Sequence, residues 1–158
     1  ISPKLDSGAR MGVLNTDLTA WRQVFAVNFF SVAMLGRGLI EELTAAKGVI
    51  VNVTSIAGTR VHPFAGTAYA TSKAALAALT REMAAEFGER GVRVNAIAPG
   101  EIDTSILSPG TDELVNREIP MRRLGKPEEV AATIYFLCSG PASYVNGAEV
   151  HINGGQHV

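Results

Sequence analysis

The chain has 158 residues, 47% hydrophobic and 18% charged, with a net charge of −1 and both signs interspersed. That is enough for one domain with a real core, and it excludes a disordered chain, a basic nucleic-acid surface and a polybasic membrane-surface segment. No apolar run reads as long enough to cross a bilayer, and the N-terminus lacks the charged-then-apolar pattern of a signal peptide. The lone Cys138 cannot form an internal disulfide, which fits a reducing compartment, so the expected location is the cytoplasm.

Residues 1 to 16 contain Pro3, Gly8, Gly12 and Asn15 without an apolar period and read as a surface loop. Asp17 or Thr19 then caps a helix expected over 19–46, with Trp21, Val24, Phe25, Val27, Val32, Leu35 and Leu39 near a 3.6-residue period and Gly48 at its end. Asn28 is a poor helix former within it. Taken alone, it reads most simply as a residue that bends or caps its own backbone.

Gly48 to Val53 is a nearly continuous apolar and β-branched run of the kind found in a strand buried on both faces of a parallel sheet. It ends in Thr54-Ser55-Ile56-Ala57-Gly58, small hydroxyl residues at the carboxyl end of a strand, where open α/β sheets form their ligand crevice. Such hydroxyls also serve simply to satisfy turn backbone. Arg60 to Gly66 is a loop in which His62 reads as a surface residue and Phe64 as a candidate pocket wall.

A long helix is expected over 67–87, closed by Gly88 and Gly91. Leu76, Leu79, Met83 and Phe87 form its sheet-facing stripe, and alanines cover much of the rest, so a second cover is expected from another subunit. Val92 to Ile97 is a second buried-strand candidate, broken by Ala98-Pro99-Gly100. A short helix is expected around 112–118. Pro127 followed by Glu128 and Glu129 starts another, with Val130, Ile134 and Leu137 as its core face and Cys138 packed beside them. Ala148 to Ile152 is a last short strand. The order helix, strand, helix, strand, helix, strand predicts an α/β fold with a parallel, doubly wound sheet, in a single domain over 1–158.

On the helix at 67–87, Tyr69 and Lys73 stand at i and i+4 and share a face. A free phenol titrates near pH 10 and an adjacent ammonium favours its phenolate, so the pair is able to exchange a proton with an alcohol or carbonyl. A Tyr and a Lys at this spacing also occur on ordinary solvated helix faces. His62, His151, His157 and Cys138 show no metal-ligand spacing, and no metal is expected.

Several separated segments agree in order and spacing. Val27-Asn28, Asn52-Val-Thr-Ser55-Ile-Ala-Gly58, Tyr69-xxx-Lys73, Val92-Arg-Val-Asn95-Ala-Ile-Ala-Pro99-Gly100, Arg123-Leu-Gly-Lys-Pro127-Glu-Glu-Val130-Ala, Ser143-Tyr-Val-Asn-Gly147 and Asn153-Gly-Gly155 together resemble the short-chain dehydrogenase/reductase (SDR) family, with a Rossmann-like fold. The resemblance covers essentially the whole chain. It implies that Tyr69 is the general acid/base, that Lys73 lowers its pKa and binds the nicotinamide ribose, that Ser55 holds the substrate oxygen, and that Asn28 anchors a water on the proton path. Pro99, Gly100, Ile102 and Thr104 are implied as the nicotinamide-side wall, with Tyr69 and Lys73 also against the cofactor, NAD or NADP.

The family's Gly-rich phosphate-binding turn does not occur in these residues, and Ile1-Ser-Pro-Lys resembles the residues that follow its Asn-Asn-Ala-Gly segment. The chain therefore reads as the C-terminal part of a family member. The implied function is an NAD(P)-dependent oxidoreductase interconverting a secondary alcohol and a ketone. The alternative is a catalytically incompetent fragment that serves only as an oligomerisation module. The loops at 60–66 and 102–120 are expected to line the substrate. A homodimer or homotetramer is expected through the helices at 67–87 and 19–46 and the C-terminal strand, with the histidines at 151 and 157 near a subunit contact.

Overall fold

The computed structural model describes residues 1–105 and 107–158, so residue 106, in the loop at 102–120, lies outside the described residues. Three strands, β1 (Val49–Val53), β2 (Arg93–Pro99) and β3 (Glu149–Ile152), form one parallel sheet in the order β1-β2-β3. Val49 pairs with Arg93 and Val53 with Ile97, while Ala96 pairs with Glu149 and Pro99 with Ile152. The central strand carries the driest residues, with Val94, Asn95, Ala96, Ile97 and Ala98 fully buried. On β1, by contrast, Val49 to Val51 are only half-buried and Val53 is exposed. Mixed α/β architecture around a parallel sheet is what the alternating pattern predicts.

The helix expected over 19–46 is instead four segments. Helix α1 (Leu18–Phe25) is followed by a π turn (Ala26–Phe30), then α2 (Ser31–Gly38) and α3 (Ile40–Ala46). Asp17 caps α1 by accepting from the Ala20 amide at 2.7 Å. The π turn widens the backbone around Asn28, whose side chain is thereby directed inward rather than along the helix surface. The end comes at Lys47, not at Gly48: Lys47 itself takes the left-handed conformation at φ 46°. Gly48 is required for a different reason, because a Cβ there would lie 2.8 Å from the Leu43 side chain.

Leu18–Gly38, 21 residues at mean hydropathy 1.2, is long and apolar enough to cross a membrane, contrary to the sequence reading. Here it packs along α4 (Thr67–Gly88). Val24 and Gly36 are buried, and a Cβ on Gly36 would come within 2.5 Å of Met83 Cε. The opposite face, with Val27, Phe30, Met34, Leu35 and Leu39, stays exposed.

Helix α4 lays Leu76, Met83 and Phe87 on the sheet beside Val92 and Val94. Its polar residues on that face are satisfied across the layer. Asn52 donates to the Thr80 hydroxyl at 2.9 Å, and Thr80 donates to the Leu76 carbonyl at 2.8 Å. Asn95 and Asn146 stitch the 143–147 turn to the core: the Asn95 amide donates to the Val145 carbonyl, and Asn146 accepts from the Val94 amide and donates to the Ala84 carbonyl. The buried Asn95 and the exposed Asn146 each donate and accept one backbone bond, and these directional contacts help fix β2 in register.

Helix α5 (Thr111–Glu118) packs Leu114, Val115 and Ile119 against Phe64 and Leu124. In α6 (Pro127–Cys138) Leu137 is fully buried, but Cys138 is exposed rather than packed in the core. Adjacent helix positions differ by about 100°, so a helix resting on the sheet by one stripe cannot bury both.

Candidate active site

Ser55, at the end of β1, has an extended backbone and caps the short 3-10 turn Ile56–Gly58, its hydroxyl accepting from the Ala57 amide at 3.2 Å. The turn lies directly on α4. A Cβ on Gly58 would stand 2.9 Å from the Ala74 amide nitrogen and 3.0 Å from the Lys73 carbonyl carbon. Only a glycine allows the strand end to approach the helix this closely, and that approach sets Ser55 against Tyr69.

Tyr69 and Lys73 occupy successive turns of α4, with the Lys73 ammonium 5.7 Å from the phenol ring centroid. Lys73 donates to the Val53 carbonyl at 2.7 Å, which ties the amine to the last residue of β1 and leaves two of its three N–H groups for a ligand. The phenol departs from the sequence expectation. Burial pushes the Tyr69 pKa up from its ordinary value, the Ser55 hydroxyl hydrogen-bonded to it pulls it back, and the charge of Glu101 raises it again. Desolvation also lowers the pKa of Lys73. Removal from water is the largest influence on both groups.

Tyr69, Lys73, Ser55, Pro99, Gly100, Ile102 and Thr104 all line one open cleft of about 790 Å³. Asn28 does not. It is buried beside Ser72, its amide donating to the Ile1 carbonyl at 2.9 Å and to the Ser72 hydroxyl at 3.1 Å. Gly100 makes room for the end of β3 and the turn after it, since a Cβ would lie 2.6 Å from Asn153 Cβ and 2.9 Å from Gln156 Oε1. The segment beyond it is fixed by the Gly125 amide donating to the Glu101 carbonyl at 2.9 Å and the Asp103 amide donating to the Gly125 carbonyl at 2.8 Å. This explains why the Arg123-to-Pro127 segment belongs to the same constellation.

Phe64 forms part of the cleft wall as expected, and Leu107 and Ser108 join it from the loop beyond. His62 does not lie at the surface. It is buried, with Nε2 2.7 Å from Glu101 Oε1, and both residues line the cleft. Neither was singled out from the sequence; the one signal available was a carboxylate directly after Pro99-Gly100, at the mouth of the expected crevice. His151 and His157 stack at 4.2 Å beside Asn153, away from Tyr69, and no cluster of metal-ligating side chains occurs among the described residues.

A parallel α/β sheet thus gathers a tyrosine, a lysine and a serine around one cleft near the carboxyl end of β1. A family model described as enoyl-(acyl carrier protein) reductase matches residues 3–157. Protein FixR of Bradyrhizobium diazoefficiens is 60% identical over 158 residues, covering all of this chain and 57% of that protein. The structure of a 3-oxoacyl-[acyl-carrier protein] reductase with bound NAD from Brucella melitensis superposes with a TM-score of 0.93 at 36% identity, over 100% of this chain and 59% of that one. A short-chain dehydrogenase/reductase family oxidoreductase from Brucella ovis, in complex with a partially ordered NAD, gives a TM-score of 0.80 at 60% identity, over 96% and 60%. The chain belongs to the short-chain dehydrogenase/reductase family and spans about three-fifths of the length of these relatives.

Proposed function

We propose that the protein to which this chain belongs is an NAD(P)-dependent oxidoreductase that interconverts a secondary alcohol and a ketone. The observation that carries this reading is that the Tyr69 phenol, the Ser55 hydroxyl and the Lys73 amine line one wall of a single cleft. When bound, the nicotinamide cofactor supplies or accepts the hydride. The donor set fits its ribose end: Lys73 retains two N–H groups, and Thr104 presents a hydroxyl beside Pro99 and Gly100.

Tyr69 gives its proton to the carbonyl oxygen during reduction; for oxidation the phenol must first release its proton to solvent, past Lys73, so that the phenolate can take the proton of the alcohol. Ser55 donates to the same oxygen and stabilises the charge that develops there. Lys73, anchored on Val53, orients the ribose and supplies the positive field beside the phenol. Asn28 braces the helix one residue before Lys73 through the Ser72 hydroxyl, the position from which it would order a water leading from the amine. Relatives solved with NAD support a nicotinamide cofactor. The exposed apolar faces of α1 and α2 support assembly as a homodimer or homotetramer.

The test is nicotinamide absorbance on mixing the protein, completed by its upstream residues, with NAD or NADP and a panel of secondary alcohols. Cofactor-dependent turnover is expected. A second reading, that this stretch acts only as an oligomerisation module, is favoured by the lack of a Gly-rich phosphate-binding turn in residues 1–158. Unchanged NADH and NADPH fluorescence when residues 1–158 are titrated to millimolar cofactor would favour it.

A further inference from the structure

We propose that Glu101, held in place by His62, determines substrate specificity by accepting a hydrogen bond from a second, neutral hydroxyl group next to the reacting carbinol. The preferred substrate is then a vicinal diol or polyol, or the matching hydroxyketone. This rests on the oxidoreductase reading above and assigns the part of the cleft that the hydride and proton chemistry leaves unused.

The Glu101 side chain is 12% exposed and that of His62 7%, yet both line the cleft shared by Tyr69 and Ser55. Glu101 shares the cleft with Tyr69, and its charge is felt at the phenol. The Phe64 amide donates to His62 Nδ1 at 3.3 Å, so in the neutral ring the proton sits on Nε2, facing Glu101. Nε2 and Oε1 are 2.7 Å apart, but Nε2 makes no aligned hydrogen bond, so the contact is oblique. No other donor reaches the Glu101 carboxylate among the described residues, although its backbone carbonyl is used by Gly125. A carboxylate has about four acceptor sites, and protein donors among the described residues leave most of those on Glu101 open to a ligand. Glu101 borders two pockets, a smaller one lined by Arg123 and His151 and the cleft, and of the two it is the cleft that also holds Tyr69 and Ser55, so a donor on the substrate reaches the carboxylate from there.

The charges on the walls choose among donors. Lys4, whose ammonium donates to the Ser108 hydroxyl, and Lys73 already place two cations around the same space. A cationic ligand would meet them, and a ligand with its own carboxylate beside the carbinol would meet Glu101. A neutral hydroxyl satisfies Glu101 without either penalty. Phe64, Ile102 and Leu107 supply apolar wall for the carbon skeleton.

The test compares kcat/KM of the full-length protein for a vicinal diol and for the secondary alcohol lacking the second hydroxyl, in the native form, in Glu101→Gln and in His62→Gln. The native protein is expected to favour the diol at least tenfold. Glu101→Gln should shrink that ratio about tenfold or more, the size of one hydrogen bond to a charged acceptor, and His62→Gln should shrink it less. A purely structural role for Glu101 would slow both substrates alike. An equal loss on both, or a native ratio near one, overturns the proposal while leaving the oxidoreductase reading intact. No turnover of either alcohol by the native protein sinks both.

Discussion

Gly58→Ala probes the joint between β1 and α4, on which the catalytic arrangement depends. The new methyl would stand 2.9 Å from the Ala74 amide nitrogen and 3.0 Å from the Lys73 carbonyl carbon, where ordinary contacts begin at 3.4 Å. About half an ångström must therefore be found, and it must come from helix backbone, since neither neighbour is the tip of a flexible side chain. Overpacking of this kind costs about 1–3 kcal/mol, which for a protein of this size lowers Tm by roughly 2–4 °C per kcal/mol. The same displacement moves Lys73 and Tyr69 away from Ser55. A misplacement of about 1 Å is worth up to about a hundredfold in rate, so half of that should cost about tenfold in kcat. Calorimetry and turnover on the full-length protein give both readings. If Gly58→Ala keeps native Tm and kcat, the turn does not set the distance between Ser55 and Tyr69 and the reasoning fails.

Three further outcomes follow from burial, charge and exposure. Because burial raises the Tyr69 pKa above its ordinary value near 10, the folded state holds that proton more tightly than the unfolded chain does. Stability should therefore fall as pH rises beyond 10, and the ultraviolet difference between the cofactor-free native protein and Tyr69→Phe should show no Tyr69 phenolate below that pH. Glu129 is held down to about 2 by its hydrogen bond from Arg123 and the Lys126 amide. Its stabilising contribution is complete above about pH 4.5 and lost as pH falls towards 2, and Arg123→Ala should raise the Glu129 carboxyl titration followed by NMR. Finally, residues 1–158 alone expose Phe30, Met34, Leu35 and Val53. Some 400 Å² of apolar surface left in water is worth about 10 kcal/mol, comparable with a whole domain's stability. A sharp melting transition from a sedimenting monomer of this stretch would contradict that expectation.

The strands and the long helix α4 were legible because their signals are local: β-branched runs, a 3.6-residue stripe and closing glycines. Pro127, Glu128 and Glu129 likewise announce α6. The break at Asn28 was not legible as a π turn, because a widened helix turn keeps nearly the same apolar spacing and differs only in where one side chain points. His62 was misread for a related reason. Beside Pro63 in a short polar loop it looks solvated, and its burial depends on Glu101, nearly forty residues away in the chain. Cys138 follows Leu137 directly, and only the helix's rotation on the sheet decides which is buried. The desolvation that raises the Tyr69 pKa was not legible either, because sequence spacing reports the neighbouring ammonium but not burial.

Replacement of Tyr69 by phenylalanine in the full-length protein removes the proton carrier and preserves the ring. The account predicts that alcohol oxidation and ketone reduction both fall by about 10²- to 10⁴-fold, with cofactor affinity largely retained. Turnover persisting within about tenfold of native would contradict it.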